Sequence, residues 1–266
     1  MGRRAIAVDE QERWVFNRVA RSYRHRPEYP EAMIERLSAL AGGAGGRILD
    51  LGAGTGHLAV PLAGRGHRVT AVEPALAMLA ELRIRADQRR APVAAVNASA
   101  ERTGLPDRSF DLVLAADVLH WLDPELAGQE AARLLRPGGL LVVIEAQLGD
   151  TPFMRQIRDL FSKRNPRAQL LRPSTLTQFF SPSSDRGAPR VARFVDEAPL
   201  DEDLLEHLLR SLTFVGPALG VARAEEVRRE ADQMLRFHPG AAWRRDLAMT
   251  WIERAGRRSA GAPARH

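Results

Sequence analysis

The sequence predicts an α/β protein built on a doubly wound, mostly parallel sheet of seven strands. A helical segment precedes the sheet and a helical insertion interrupts it. Three observations carry this. Short apolar runs alternate with amphipathic stretches between residues 47 and 150. The first run, RILDL, leads straight into a glycine-rich bend, Gly52-Ala53-Gly54-Thr55-Gly56. After Asp150 the alternation stops, and two more strand-like runs near the C-terminus bring the total to seven.

Residues 10–40 read as helix, break, helix. The break falls at RPEYP, because Pro27 and Pro30 disfavour helix at the residues before them, and Pro30 opens the helix PEAMIERLSAL. AGGAGG (41–46) is a flexible joint. RILDL is an apolar run bounded by glycine, as expected of a parallel strand buried on both faces. HLAVPLAGRG then reads as a helix stopped by Gly64 and Gly66, and HRVTAVE as the second strand. PALAMLAELRIRADQRR, with Pro74 in its first turn, is amphipathic. APVAAVNA and SFDLVLAAD are strands three and four. DPELAGQEAARLLRPGG is a helix closed by Pro137 and two glycines, and LLVVIEAQ is strand five. In the region 151–190, PFMRQIRDLFSK and STLTQFF are helical, split by Pro166, Pro173 and the polar SPSSDRGAP. ARFVDEAPL reads as a strand, DEDLLEHLLRSL and AEEVRREADQMLRF as helices, and DLAMTWIER, alternating with period two, as the last strand. The expected organisation is an N-terminal helical lid (1–46), a ligand-binding core (47–150), a helical cap (151–190), C-terminal elements completing the sheet (191–254) and a flexible tail (255–266).

Composition narrows the chemistry. The 266 residues contain no cysteine, which removes disulfides, thiolate metal sites and a Cys nucleophile. No metal is expected, since the histidines show no ligand spacing. No apolar run approaches the ~20 residues that span a bilayer, and the N-terminus lacks an apolar leader core. A cytoplasmic protein without membrane contact is the expectation. The net charge of +6 comes almost wholly from arginines interspersed with acids, as in RAEEVRRE; Lys163 is the only lysine. That pattern fits a solvated surface rather than a nucleic-acid footprint.

The glycine bend lies where open parallel sheets bind ligands, beyond the carboxyl ends of the strands. The dinucleotide pattern G-x-G-x-x-G would need a glycine at position 57, which is His57, and no GK[ST] follows the glycines to make a phosphate loop. Asp50, two residues before Gly52, would repel a diphosphate. It suits a ligand with an ammonium group or another cationic centre, or alternatively caps the following turn. Glu73, about twenty residues past the first glycine, suits ribose hydroxyls in several families.

Asp50 to Gly56 resembles the D-x-G-x-G-x-G motif of class I S-adenosylmethionine (SAM)-dependent methyltransferases. SAERTGLPDRSFDLV (99–113), LHWLD after strand four and RLLRPGGLLVVIE around strand five are similar to the same family. FNRVARSYRHRPEYP (16–30) is similar to the entry segment of its small-molecule branch, that of trans-aconitate methyltransferases. The resemblance covers about residues 14–147 and implies a Rossmann-like methyltransferase fold. It implies that Gly52, Ala53, Gly54 and Gly56 pass under the methionine part of SAM, with Asp50 nearby. Glu73 would take the ribose and Pro74 would lie beside it. Ala100 and Glu101 would border the adenine, with Ala116 at the end of strand four. Ser99 stands where the family usually carries an acid.

Tyr23, Arg26 and Tyr29 read either as a lid over SAM or as helix-packing aromatics with a surface arginine. His120 reads either as a general base at the rim or as a ring packed beside Trp121. Asp117 reads as a substrate contact or, preferably, as a helix cap. The expected reaction is methyl transfer to a small organic acceptor, most simply a hydroxyl or carboxylate oxygen, leaving S-adenosylhomocysteine (SAH), in a monomer or homodimer. The alternatives are an NAD(P)-dependent oxidoreductase and a SAM-binding protein without transferase activity. Nucleic-acid acceptors fit poorly, because AADVLHW stands where amino-methylating enzymes carry NPPY-like motifs.

Overall fold

The structure, a computed structural model, describes residues 15–165, 176–180 and 188–254. The sequence readings at residues 1–14, Pro166, Pro173, the start of STLTQFF, most of SPSSDRGAP and the tail lie outside the described residues. Helices α1 (Val15–Tyr23) and α2 (Glu31–Leu40) flank the proline-containing break. Then follow β1 (Arg47–Leu51), α3 (Ala59–Gly64), β2 (Arg68–Val72), α4 (Leu76–Gln88), β3 (Val93–Val96) and β4 (Phe110–Ala116). Next come a single 3₁₀ turn (Leu119–Trp121), α5 (Pro124–Leu134) and β5 (Leu135–Leu148). The remainder is α6 (Pro152–Arg164), α7 (Leu176–Phe179), β6 (Arg190–Pro199), α8 (Glu202–Ser211), α9 (Gly216–Arg236) and β7 (Ala242–Glu253).

All seven strands join one sheet in the order β3-β2-β1-β4-β5-β7-β6. β1 to β5 run parallel, and β7 lies antiparallel between β5 and β6. The order reverses between β1 and β4, so a crevice opens where the chain leaves β1 in one direction and β4 in the other. The central strands are apolar on both faces. Ile48, Leu112 and Val142 pack under α2 and α3 on one side, and Leu49, Val113 and Val143 pack under α5 on the other. Fully burying such a side chain is worth about 1.5–3 kcal/mol, which is what holds the strand tips in fixed register.

Three local features depart from the sequence reading. Pro137 and its glycines do not close α5. The helix ends at Leu134, and Arg136–Gly139 loop out within β5, where pairing jumps from Phe110↔Leu135 to Leu112↔Leu140. Leu135 is buried, so the strand begins at that apolar anchor and tolerates the bulge. The last helix starts at Gly216 rather than Ala224, because Gly220 (φ 74°) kinks the chain without ending it. The final strand begins at Ala242, four residues before the alternation read from Asp246.

The helix α6 does not stand apart. Phe153, Ile157 and Phe161 share one apolar cluster with Leu205 and Leu209 of α8, Val227 of α9 and Trp243 of β7. Trp251 is buried in the main core. Among the described residues no helix is long and apolar enough to cross a membrane.

Candidate functional site

Two cavities meet at the end of β1. The first, of about 630 Å³, is lined by Gly52, Gly54, Glu73, Pro74, Ser99, Ala100, Glu101 and Ala116, with Phe16, Tyr23, Met78, Val118 and Trp121 as its apolar walls. The second, of about 460 Å³, is lined by Asp50, Ala53, His57, Arg26, Pro27, Tyr29 and Arg245. Tyr23, Gly52, Gly54, Ala116 and Asp117 line both.

The bend after β1 is held by its neighbour strand. Gly52 and Ala53 donate their amides to the Val72 carbonyl (2.8 and 3.0 Å), and Gly54 donates to Glu73 Oε2 (3.0 Å). Gly52 has φ +70°, and a Cβ there would stand 2.5 Å from Val118, so only glycine lets the backbone form this wall. Gly56 lines neither cavity; a Cβ there would meet Leu82 at 2.9 Å, so its role is to seat α4 against the turn.

Asp50 and Glu73 are the two buried carboxylates of the site, 2% and 6% exposed. Burial raises the Asp50 pKa to about 7, the Glu73 charge adds to this, and the Ala59 amide opposes it. Glu73 is also raised by burial, against hydrogen bonds from the Ala75 and Gly54 amides. Asp50 therefore faces the second cavity while also bonding the start of α3. Asn97 props the loop after β2 from below, donating to the Glu73 and Pro74 carbonyls (3.1 and 2.8 Å).

The segment 24–28 crosses the crevice without regular structure, so its carbonyls need side-chain donors. Arg85 donates to Arg24 O (2.7 Å), and Arg245 donates to the Pro27 and Glu28 carbonyls (3.1 and 3.0 Å). His57 Nε2 lies 3.0 Å from the Arg26 carbonyl, and its Nδ1 lies 3.0 Å from Thr55 Oγ1. Burial, then Arg85, pushes the His57 pKa well below 6.5, so the ring is neutral, with Nε2 held between the Arg26 carbonyl and the Arg85 guanidinium (3.0 Å each). Arg245 pairs with Asp196 on the neighbouring strand. Arg26 donates to Ser211 Oγ (2.8 Å) and lies 3.9 Å over the Tyr23 ring.

Asp117 corrects the sequence reading. It caps no helix; α5 is capped by Asp123, whose carboxylate accepts the Glu125 and Leu126 amides. Asp117 instead ends β4 with φ +51° and accepts hydrogen bonds from the Ala146 amide (2.6 Å) and the Tyr29 hydroxyl (3.3 Å). Burial, then the Asp117 charge, raises the Tyr29 pKa, so the phenol stays protonated and donates.

Most residues named from the sequence gather here. Glu101 does so partly as a brace, since its Oε1 accepts the Asp123 amide (3.0 Å). His120 does not join them. It is exposed, lines neither cavity and sits beside Trp121 with ring centroids 5.3 Å apart. No described residue of 151–190 lines either cavity. Sequence reasoning missed Arg245, Phe16 and Met78; the last two were legible as apolar positions on α1 and α4, whereas Arg245 had no local signal.

Comparison with known proteins fits this geometry. Residues 49–143 match a methyltransferase-domain family. An uncharacterized methyltransferase of Mycobacterium tuberculosis is 45% identical over 121 residues, 46% of this chain and 47% of that protein. A demethylmenaquinone methyltransferase of Beutenbergia cavernae is 36% identical over 138 residues, 49% of this chain and 56% of that protein. The chain thus spans about half the length of the curated relatives it matches. The structure of YcgJ protein from Bacillus subtilis aligns with a TM-score of 0.57 at 18% identity, covering 85% of this chain and 99% of that one, a likeness of fold. Residues 49–143 thus resemble methyltransferase domains, and the seven-stranded sheet shares the fold of that neighbour.

Proposed function

We propose that the protein transfers a methyl group from SAM to a small organic acceptor. The observation that carries this reading is the pair of buried carboxylates, Asp50 and Glu73, flanking a side-chain-free bend where an apolar cavity meets a polar one. The residues fit the ligand. The first cavity offers apolar walls and the Ala100 backbone to an adenine, and Glu73 retains acceptor capacity for ribose hydroxyls beyond its two amide bonds. The second cavity places Asp50 where a ligand ammonium would restore its full charge. SAM supplies an activated methyl group, so the protein's work is to align donor and acceptor, an effect worth about 7 kcal/mol or more.

Asp50 disfavours the oxidoreductase alternative, since a diphosphate at this bend would meet its carboxylate at close range, whereas Glu73 would suit the ribose of either ligand. A protein that binds SAM without transfer would share the site. The acceptor would reach the methyl group at the junction of the two cavities, where Tyr23 and Asp117 line both. A hydroxyl or carboxylate oxygen remains our favoured attacking atom. The N-terminal likeness to trans-aconitate methyltransferases supports a small acid as acceptor, and the demethylmenaquinone relative supports a quinone-like one. Calorimetry with SAM and with SAH tests the reading. Micromolar binding of both is expected, and no heat with either would overturn it. Labelled SAM with a panel of hydroxylated, carboxylated and amine metabolites then identifies the acceptor.

A further inference from the structure

We propose that Asp117 is the acceptor's proton-accepting group, its carboxylate lying against the point where the methyl group changes hands. This rests on the SAM reading above. If adenosine occupies the apolar cavity and the charged amino-acid arm the polar one, the sulfur lies at the junction. Among the described residues, five line both cavities: Tyr23, Gly52, Gly54, Ala116 and Asp117. Of these, Tyr23 and Asp117 carry polar side chains, and Asp117 alone carries a carboxylate.

The local structure is built to hold that carboxylate still. The chain leaves β4 through a left-handed residue, a conformation that aspartate tolerates better than most. The Asp117 amide still bonds Ile144 O (2.9 Å), so the residue remains tied to β5 on its backbone side. Oδ1 is fixed by the Ala146 amide, and among the described residues Oδ2 meets only the long Tyr29 contact, which a stronger donor can displace. His120, the sequence's candidate for this task, lies outside both cavities.

In the step that follows, the acceptor's O–H or N–H donates to Oδ2. As the acceptor lone pair forms the new bond to the methyl carbon, the sulfur–carbon pair returns to sulfur and the acceptor proton passes to Asp117. A substrate bearing a hydroxyl or amine uses this group, whereas a carboxylate has no proton to give and would be repelled, so of the two oxygens favoured above Asp117 selects the hydroxyl.

Sinefungin tests the placement without knowledge of the acceptor, because an amine-bearing carbon replaces the methylated sulfur in it. Calorimetry compares its affinity with that of SAH. The wild-type protein should prefer sinefungin by about tenfold, and Asp117→Asn, which keeps the Oδ1 acceptor and tolerates the backbone, should abolish most of that preference. SAH affinity should change less than about threefold, which also reports an intact fold. Equal affinities in the wild type, or a preference that survives in Asp117→Asn, would overturn the proposal. If Asp117→Asn lost SAH binding too, Tyr29→Phe decides: removing the competing hydroxyl should raise the preference about twofold, and an unchanged ratio counts against Asp117. A wild type that binds neither nucleoside defeats the SAM reading itself, a result distinct from SAH binding without sinefungin preference.

Discussion

The two cavities that meet at Gly52 differ in how far along the chain their walls are drawn. The apolar one is lined by residues between Phe16 and Leu122, chiefly the turns that follow β1 to β4. The polar one joins the same bend to Pro27 and Tyr29 from the crossing segment and to Arg245 from β7. One is a product of local turn chemistry at the strand tips. The other exists only through pairings between segments more than two hundred residues apart. The difference suggests that the nucleoside end of the donor site is set by the sheet and its charged end by what is laid over it.

Substitutions can break or sharpen that contrast. The largest expected effect is on the local side: Glu73→Ala strands the Gly54 and Ala75 amides and removes the ribose partner. SAM affinity should fall about a hundredfold or more, read by calorimetry. Arg245→Ala attacks the assembled side. It leaves Asp196 mostly buried without its partner and frees two carbonyls of the crossing segment, so a loss of about 3 kcal/mol in chemical denaturation is expected. Its effect on SAH affinity should be smaller than that of Glu73→Ala; the reverse order would show that the nucleoside end also depends on the distant walls.

Asp50 gives a pH signature. Its folded pKa of about 7 lies above the ordinary 3.8, so the folded state holds the proton longer than the unfolded chain does. Stability of the free protein should therefore decline as pH rises from about 4 to about 7 and level off above, and Asp50→Asn should flatten that slope. In the other direction, affinity for SAM should rise about tenfold between pH 6 and 8 as the carboxylate becomes available to an ammonium. The smallest effect concerns His120→Ala, which should alter SAH affinity by less than about twofold, as befits an exposed ring outside both cavities.

Legibility followed the same divide. Asp50, Glu73 and the glycines could be marked as candidates because each lies within a few residues of a strand end, where spacing along the chain fixes spacing in space, whereas Ala100 entered only through the family resemblance. The doubly wound, mostly parallel character of the sheet followed from the alternating apolar runs. The bulge at Arg136–Gly139 was misread because Pro and Gly signal a helix stop as well as a strand irregularity, and only the pairing with β4 separates the two. Asp117 was misread as a cap because its partners, Tyr29 and Ala146, lie 88 and 29 residues away. Arg245 sits in an alternating strand whose pattern reveals a face but not which cleft that face closes.

The antiparallel last strand has a consequence in time. Because β7 lies between β5 and β6, β6 leaves the ribosome before the strand it must pair with exists, and it waits without an in-sheet neighbour until residues 242–253 emerge. The nucleoside end can take shape earlier in synthesis, from contacts of short sequence separation, whereas the polar chamber is finished last. A nascent chain of this protein would therefore acquire a seat for the adenosine before it could close around the ligand's charged arm.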